Sequence, residues 1–325
     1  MTSPAAAARD GRLGGEPGPD LAVVILTFNE ERHLGRALDA VRPIAREVFV
    51  VDSFSTDRTL DIARDGGATV LQHPFVNQAK QFQWALDNAP ITSGWVMRLD
   101  ADEVIEPDLA SEIAAKLPAL PTDVRGVVLK RKHIFLERWI RHGGRYPLLL
   151  LRIWRRGTAR LEDRWMDEHI VLEGGRTVTF GGGFADHNLH DLTFFIDKHN
   201  KYATREAIEV VTARHGLIPR DAALMATDGM AQAGRKRALK DEVYNRLPFG
   251  LGPAAYFLYR YVVQLGFLDG RAGLVYHGLQ GFWYRFLVEA KVHELEAAIA
   301  GLVGREEILA ELRRVTGHPV GLTDA

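Results

Sequence analysis

The chain has 325 residues and 46% hydrophobic content, enough for one large core or two moderate ones. Its 41 Lys and Arg against 42 Asp and Glu create no global field that would gather nucleic acid, and no local basic patch takes its place, so no nucleic-acid partner is expected. With no cysteine, disulfides, zinc-thiolate sites and a thiol nucleophile are excluded together, and any metal site must use Asp, Glu, His or water.

Residues 1–20 are rich in Ala, Gly, Pro and charge, lack an apolar run, and read as a disordered leader rather than a signal peptide. From residue 21 to about 117, short β-branched runs alternate with polar segments of helical spacing. Leu21–Thr27, Glu47–Val51, Ala68–Leu71 and Trp95–Leu99 are the expected strands; Glu31–Val41, Asp57–Arg64, Asn77–Asn88 and Pro107–Leu117 are the helices between them. Near-continuous apolar strands separated by helices predict an α/β fold with a mostly parallel sheet, whose ligands sit at the carboxyl ends of the strands. The texture then changes to Val127–Lys130, Leu148–Trp154 and His169–Glu173, a mixed-sheet extension with Arg-, Gly- and aromatic-rich loops. After His187 the chain turns helical, over Leu192–His215, a segment near Pro219–Leu247, and the aromatic-rich stretches Pro253–Leu268 and Leu274–Leu295. The expected division is a leader over 1–20, a catalytic domain over 21–215 and a helical extension over 216–325. Every long apolar stretch is interrupted well before the roughly 20 residues that span a bilayer.

Three strand ends carry the chemistry. The first runs into Thr27-Phe28-Asn29-Glu30-Glu31 and the second into Asp52-Ser53-Phe54-Ser55-Thr56-Asp57. At strand-to-helix turns backbone N–H groups are free and a nucleotide can be held, although Asn29, Ser55 and Thr56 serve equally as helix caps and Asp57 as a first-turn charge. The fourth strand runs into Asp100-Ala101-Asp102-Glu103, two carboxylates one residue apart that can share a divalent cation such as Mn²⁺ or Mg²⁺. A solvated acidic turn capping the next helix is the plainer alternative.

LAVVILTFNEE, VVDSFSTDRTLDIA about 25 residues later and RLDADE about 45 beyond that together resemble the family 2 glycosyltransferases of the GT-A fold, over residues 21 to about 215. The resemblance implies an inverting, metal-dependent sugar transfer from a nucleoside diphosphate sugar, most simply a UDP-sugar. By matched position it makes Thr27, Asn29, Glu30 and Asp52 nucleoside-side residues, Lys80 a basic group facing the donor, Asp100 a nucleotide or metal residue and Asp102 a metal ligand. The fit is to the branch of lipopolysaccharide-core and capsule or exopolysaccharide transferases, through Trp165-Met166-Asp167-Glu168-His169, Ala185-Asp186-His187-Asn188 and Asp197-Lys198-His199-Asn200-Lys201-Tyr202.

Inversion requires one in-line displacement, so the acceptor hydroxyl must lose its proton to a positioned base. Glu168, which aligns with the family's Glu, is the first candidate, and Asp167, where many relatives have His, the second; for either, a salt bridge to Arg164, Arg152, Arg155 or Arg156 is the structural alternative. His187 is read as following a glycine-rich turn, Gly181–Gly183, and as a third metal ligand or an ordinary hydrogen-bonded histidine. Tyr, Trp and Phe interleaved with Arg260, Arg271 and Arg285 in the last hundred residues suit either an anionic membrane surface, here the inner face of a bacterial cytoplasmic membrane, or a helical pair packed as core or against a second subunit. The acceptor would be a glycan or a lipid-linked glycan. Rival readings are a polyprenyl-phosphate glycosyltransferase, a nucleotidyltransferase, for which TFNEERHLGR is a poor phosphate loop, and a non-catalytic carbohydrate-binding protein.

Overall fold

The computed structural model of the protein describes residues 19–161, 170–217 and 248–321. Its described residues divide into two compact units. The first runs to Trp139 and resumes over Arg145–Leu189; the second takes the short loop Ile140–Gly144 and what is described from His190 onward.

The first unit begins with four parallel strands, β1 (Leu21–Thr27), β2 (Glu47–Asp52), β3 (Thr69–Gln72) and β4 (Trp95–Asp100). Helices α1 (Leu34–Val41), α2 (Thr59–Asp65) and α3 (Gln78–Asn88) alternate with them. The two-residue period of β1 sends Leu21, Val23 and Ile25 into one core with Leu34, Leu38 and Ile113, and Ala22 and Val24 into another with Phe82, Ala85 and Trp154. Apolar cover on both faces is why these strands read as unbroken hydrophobic runs.

A short strand β5 (Glu103–Ile105) and helix α4 (Pro107–Lys116) follow, then β6 (Val124–Phe135), β7 (Arg138–Trp139), β8 (Leu148–Arg155), the β9–β10 pair (Ala159–Leu161 and Ile170–Leu172) and β11 (Arg176–His187). The main sheet has nine strands in the order β3-β2-β1-β4-β8-β6-β11-β5, with β7 beside β6. It is an α/β fold of the expected class, with a parallel block and an antiparallel extension through β8.

Gly181–Gly183 is not a turn but lies inside β11, at a register shift between Thr179 and Gly183. A side chain at Gly182 would put its Cβ 2.6 Å from the backbone of Leu109, so the glycine is what lets α4 lie against this strand.

In the second unit, α5 (Leu192–Arg214) packs Ala203, Ala207 and Val211 against Val288, Val292 and Leu295 of α8 (Tyr284–Ala298) and Leu309 and Leu312 of α9 (Arg305–Thr316). Before α8, the chain forms α6 (Leu251–Leu258), a widened turn over Tyr259–Val263, a 3₁₀ turn over Gly266–Asp269, α7 (Gly270–Tyr276) and a second widened segment, His277–Trp283. The expected helix near Pro219–Leu247 lies outside the described residues. Among the described residues, no helix is long and apolar enough to cross a membrane.

Candidate active site

The register of the parallel block brings three motifs to one edge. Thr27 pairs with Asp52 across β1 and β2, while Leu26 pairs with Asp100 across β1 and β4, so the loops after all three strands leave the same end of the sheet.

The first two loops are bound to each other. Asn29 adopts a left-handed backbone, φ 54°, donates its N–H to the Ser55 hydroxyl at 2.8 Å and accepts the Thr56 N–H on its side-chain oxygen at 2.9 Å. The Glu30 N–H reaches the Thr59 hydroxyl at 2.7 Å, and the Glu31 N–H reaches Asp57 at 3.1 Å. Burial works against charge on Asp57, but the hydroxyl and N–H of Thr59 and the N–H of Glu31 outweigh it and hold its pKa below the ordinary value. Asp52 is fully buried; its carboxylate accepts from the Thr27 hydroxyl at 3.1 Å, the Ser55 N–H at 2.9 Å, the Ser55 hydroxyl and the Gln72 amide at 3.3 Å. Such saturation makes Asp52 the clasp that shapes both loops. Phe28 and Phe54 stand exposed beside them. Lys80 lies in the first turn of α3, where its N–H is capped by Asn77 at 2.7 Å.

Glu30 reaches back to the buried His33 at 2.6 Å. Because His33 Nε2 accepts the Leu189 N–H at 2.9 Å, the proton sits on Nδ1 and is given to Glu30. This contact fastens the first loop to the segment that follows β11.

The third loop rests on a buried charge network. Asp100 faces Arg98 at 3.4 Å and Arg152 at 3.5 Å, while Glu103 accepts the Asp100 N–H at 3.0 Å and Arg152 at 2.5 Å. Arg131 lies 3.9 Å from Glu103 and 3.6 Å from Asp186, which also meets His133 at 3.2 Å. Burial opposes charge on Asp100, but Arg98, Arg152 and Arg131 prevail and take its pKa down to about 2. For Glu103, burial is the larger effect, aided by the charge on Asp100 and only partly offset by Arg152, and its pKa rises to about 8. Asp102 is half-buried; its carboxylate accepts the Asn188 amide at 3.0 Å and its carbonyl accepts the His187 N–H at 3.0 Å.

β5 makes that last contact. Its antiparallel pairing with β11 sets Glu103 opposite Asp186, so His187 follows beside Asp102. The His187 ring is held between Arg36, 3.3 Å from Nδ1, and Glu137, 3.2 Å from Nε2. Arginine can only donate, so Nδ1 is the acceptor and Nε2 carries the proton. Among the described residues, no group of three His, Asp or Glu converges as a metal cage. The donors do fit a hard cation of the Mg²⁺ or Mn²⁺ kind, which takes one or two carboxylates and fills its shell with phosphate and water. Asp102 accepts the Asn188 amide, Asp100 faces Arg98 and Arg152, and His187 is held through both ring nitrogens.

Residues 22–179 match the family model described as glycosyl transferase family 2. Over 93 residues the chain is 38% identical to an uncharacterised glycosyltransferase of Rickettsia typhi, covering 29% of this chain and 31% of that protein. Over 98 residues it is 28% identical to the SPbeta prophage-derived glycosyltransferase SunS of Bacillus subtilis, covering 30% of this chain and 23% of that one. Among solved structures, glucosyl-3-phosphoglycerate synthase of Mycobacterium tuberculosis, in complex with Mn²⁺, UDP and glucosyl-3-phosphoglycerate, matches at 22% identity over 36% of this chain and 44% of that chain, with a TM-score of 0.28. S. aureus TarS 1–349 matches at 13% identity over 84% of this chain and 91% of that chain, with a TM-score of 0.38.

Within the matched span, Asp167 and Glu168 lie outside the described residues. Of their alternative partners, Arg152 bonds Glu103, Arg155 gives its Nε to the Val124 carbonyl at 2.9 Å and stacks over Trp95, and Arg156 gives its Nε to the Ser93 carbonyl at 3.1 Å. The motif reading passed over Arg36, Arg98, Arg131 and Asn188, all of which touch its residues. Arg98 sits within the fourth strand run and Asn188 beside His187, so spacing alone held a signal; Arg36 and Arg131 become visible only through tertiary contact.

Proposed function

We propose that the protein is an inverting glycosyltransferase that uses a divalent cation to move a sugar from a nucleoside diphosphate donor, UDP-linked in the simplest case, to a glycan or lipid-linked glycan acceptor of lipopolysaccharide or exopolysaccharide assembly. The observation that carries this reading is the delivery of Thr27–Glu30, Asp52–Asp57 and Asp100–Asp102 to one sheet edge by the β2-β1-β4 register.

In this reading the nucleoside lies against the loops clasped by Asp52 and Asn29, with Phe28 and Phe54 as exposed apolar surface beside it and Lys80 facing the diphosphate. Mn²⁺ or Mg²⁺, when bound, neutralises charge on the departing diphosphate. Asp102 would hold it, with Asp100 and His187 beside it. Arg98 and Arg152 fix the carboxylate of Asp100 and the turn that carries Asp102. Glu168, or Asp167 beside it, takes the proton of the acceptor hydroxyl as the C–O bond forms at the anomeric carbon and the bond to the diphosphate breaks.

The test is to incubate the pure protein with Mn²⁺ and a panel of nucleotide sugars and to measure slow release of nucleoside diphosphate. One donor hydrolysed in Mn²⁺ and spared in excess EDTA is the expected result. Binding of sugar with no hydrolysis of any donor would favour a non-catalytic carbohydrate-binding protein, and a polyprenyl-phosphate-linked product would move the acceptor class.

A further inference from the structure

The second unit distributes polarity in an unusual way over residues 248–288. Arg260, Asp269 and His277 are buried there, at 5%, 2% and 0% exposure, whereas Val263, Phe249, Leu258 and Val262 stand 67%, 58%, 56% and 51% exposed. Leu251, Tyr259, Leu265, Phe267, Leu268 and Leu274 are exposed as well. Single exposed apolar residues are ordinary; this many from one short stretch mark an interaction surface. The aromatic members meet one another, with Phe286 packed 5.2 Å from Phe249 and 6.0 Å from Phe282, and Tyr261 6.3 Å from Phe267. Trp283, by contrast, packs partly against the helical core, Tyr284 is buried within it, and Tyr276 is buried as well.

The polar interior closes the turn on itself. The Gln264 N–H bonds the Tyr259 carbonyl at 2.9 Å, the Leu265 N–H that of Val262 at 3.2 Å and the Leu268 N–H that of Leu265 at 3.0 Å. The Gln264 carbonyl accepts the Gly143 N–H at 2.9 Å, and Arg260 caps the Gly143 carbonyl at 2.6 Å. Asp269 takes the His142 N–H at 2.9 Å and its ring Nδ1 at 2.7 Å. Internal satisfaction of the backbone is the condition for non-helical chain to enter a lipid phase.

Charge gives the same answer. Between Pro248 and Val288 the charged residues are Arg260, Asp269, Arg271 and Arg285, so the one acid is buried, and Arg271, like Arg141 of the inserted loop, is exposed. An apolar face edged by cations complements an anionic bilayer surface. We propose that the hairpin formed by α6, its widened turn and the Gly266–Asp269 turn lies embedded in the interfacial layer of an anionic membrane, with Val262, Val263, Leu265 and Phe267 as the inserted tip and Arg271 at the headgroups.

The absence of cysteine makes a single environment-sensitive label specific. The full chain carrying V263C, labelled with nitrobenzoxadiazole, is mixed with vesicles of phosphatidylcholine alone or with phosphatidylglycerol, and V303C, at a fully exposed position beyond α8, serves as the control. Blue-shifted, brighter emission from position 263 and none from 303, with stronger flotation on the phosphatidylglycerol vesicles, is the expected outcome. The triple variant V262S/V263S/F267S should keep the wild-type melting temperature and lose about tenfold or more in vesicle partitioning. R271Q should weaken binding only to the anionic vesicles. Protein that never floats with either vesicle overturns the proposal, and so does a concentration-dependent dimer that shifts the label at 263 without lipid, because the face would then be a self-interface.

Discussion

In the sheet unit Val23, Val50 and Phe82 lie inside while Asn29, Asp57 and Asp102 gather at the strand ends; in the carboxy-terminal unit Arg260, Asp269 and His277 lie inside while Val262, Val263 and Phe267 face outward. The sheet unit follows the rule for a chain surrounded by water, with burial driven by the apolar area removed from it. On the proposal above, the hairpin is instead a chain that meets lipid, where apolar surface is cheap to expose. Residue composition alone does not say which way a segment faces: Tyr259 and Tyr284 come from two similarly aromatic stretches, and one is surface while the other is core.

The largest expected effect sharpens the chemical side of this contrast. E168Q should lower turnover by about 10²–10⁴-fold with donor affinity little changed, because a general base acts in the transition state. If D167N is inactive while E168Q retains activity, the base is one residue upstream; wild-type rates in both would remove the segment from the mechanism. Thermal melts of the second unit come next. R260A should cost about 2–3 kcal/mol, since the Gly143 carbonyl and the Tyr256 hydroxyl lose a charged donor, whereas V263S should stay within about 0.5 kcal/mol. The reverse order would mean that the hairpin is packed against protein and would break the comparison.

Glu47 offers a smaller and pH-dependent test of the sheet unit. Its carboxylate takes the Thr92 hydroxyl at 2.6 Å and the Ser93 N–H and hydroxyl at 2.9 and 2.7 Å; burial opposes its charge, but these donors prevail and hold its pKa below 4.5. A lowered folded pKa contributes stability above the unfolded value that is lost as the pH falls through that value and then through the folded one. E47Q should therefore cost about 2 kcal/mol at neutral pH and show a shallower loss of melting temperature on acidification. An acid limb unchanged by the substitution would contradict the assignment. The smallest effect expected is from N29A, about 1 kcal/mol, with weaker donor binding, as the loops after β1 and β2 lose their shared side-chain clasp.

The parallel block was legible because periodicity and burial agree there: β1 spans Leu21–Thr27 as read, and the ends of β2, β3 and β4 differ by a residue. Strand β5 escaped because three residues, Glu103–Ile105, follow an acidic motif and carry no periodic signal. β11 escaped because glycines that permit close packing with α4 look in one dimension like a turn. Both losses matter at the candidate site, since β5 and β11 bring His187 beside Asp102. The residue types at the three strand ends were readable from sequence; the arginines around Asp100 were not singled out, because Arg98, Arg131 and Arg152 converge from three separate strands.

The central claim is that the sheet edge binds a nucleoside diphosphate through a cation on Asp102. Titration calorimetry of UDP, with GDP, CDP and ADP as alternatives, into the wild-type protein in Mn²⁺ and again in EDTA tests it directly, with D102N alongside. The account predicts one nucleotide that binds in Mn²⁺ and is weakened about tenfold or more both by EDTA and by D102N, with the melting temperature of D102N in EDTA matching the wild type. Failure of all four nucleotides to bind in Mn²⁺, or binding that is equally strong in EDTA and in D102N, would contradict it.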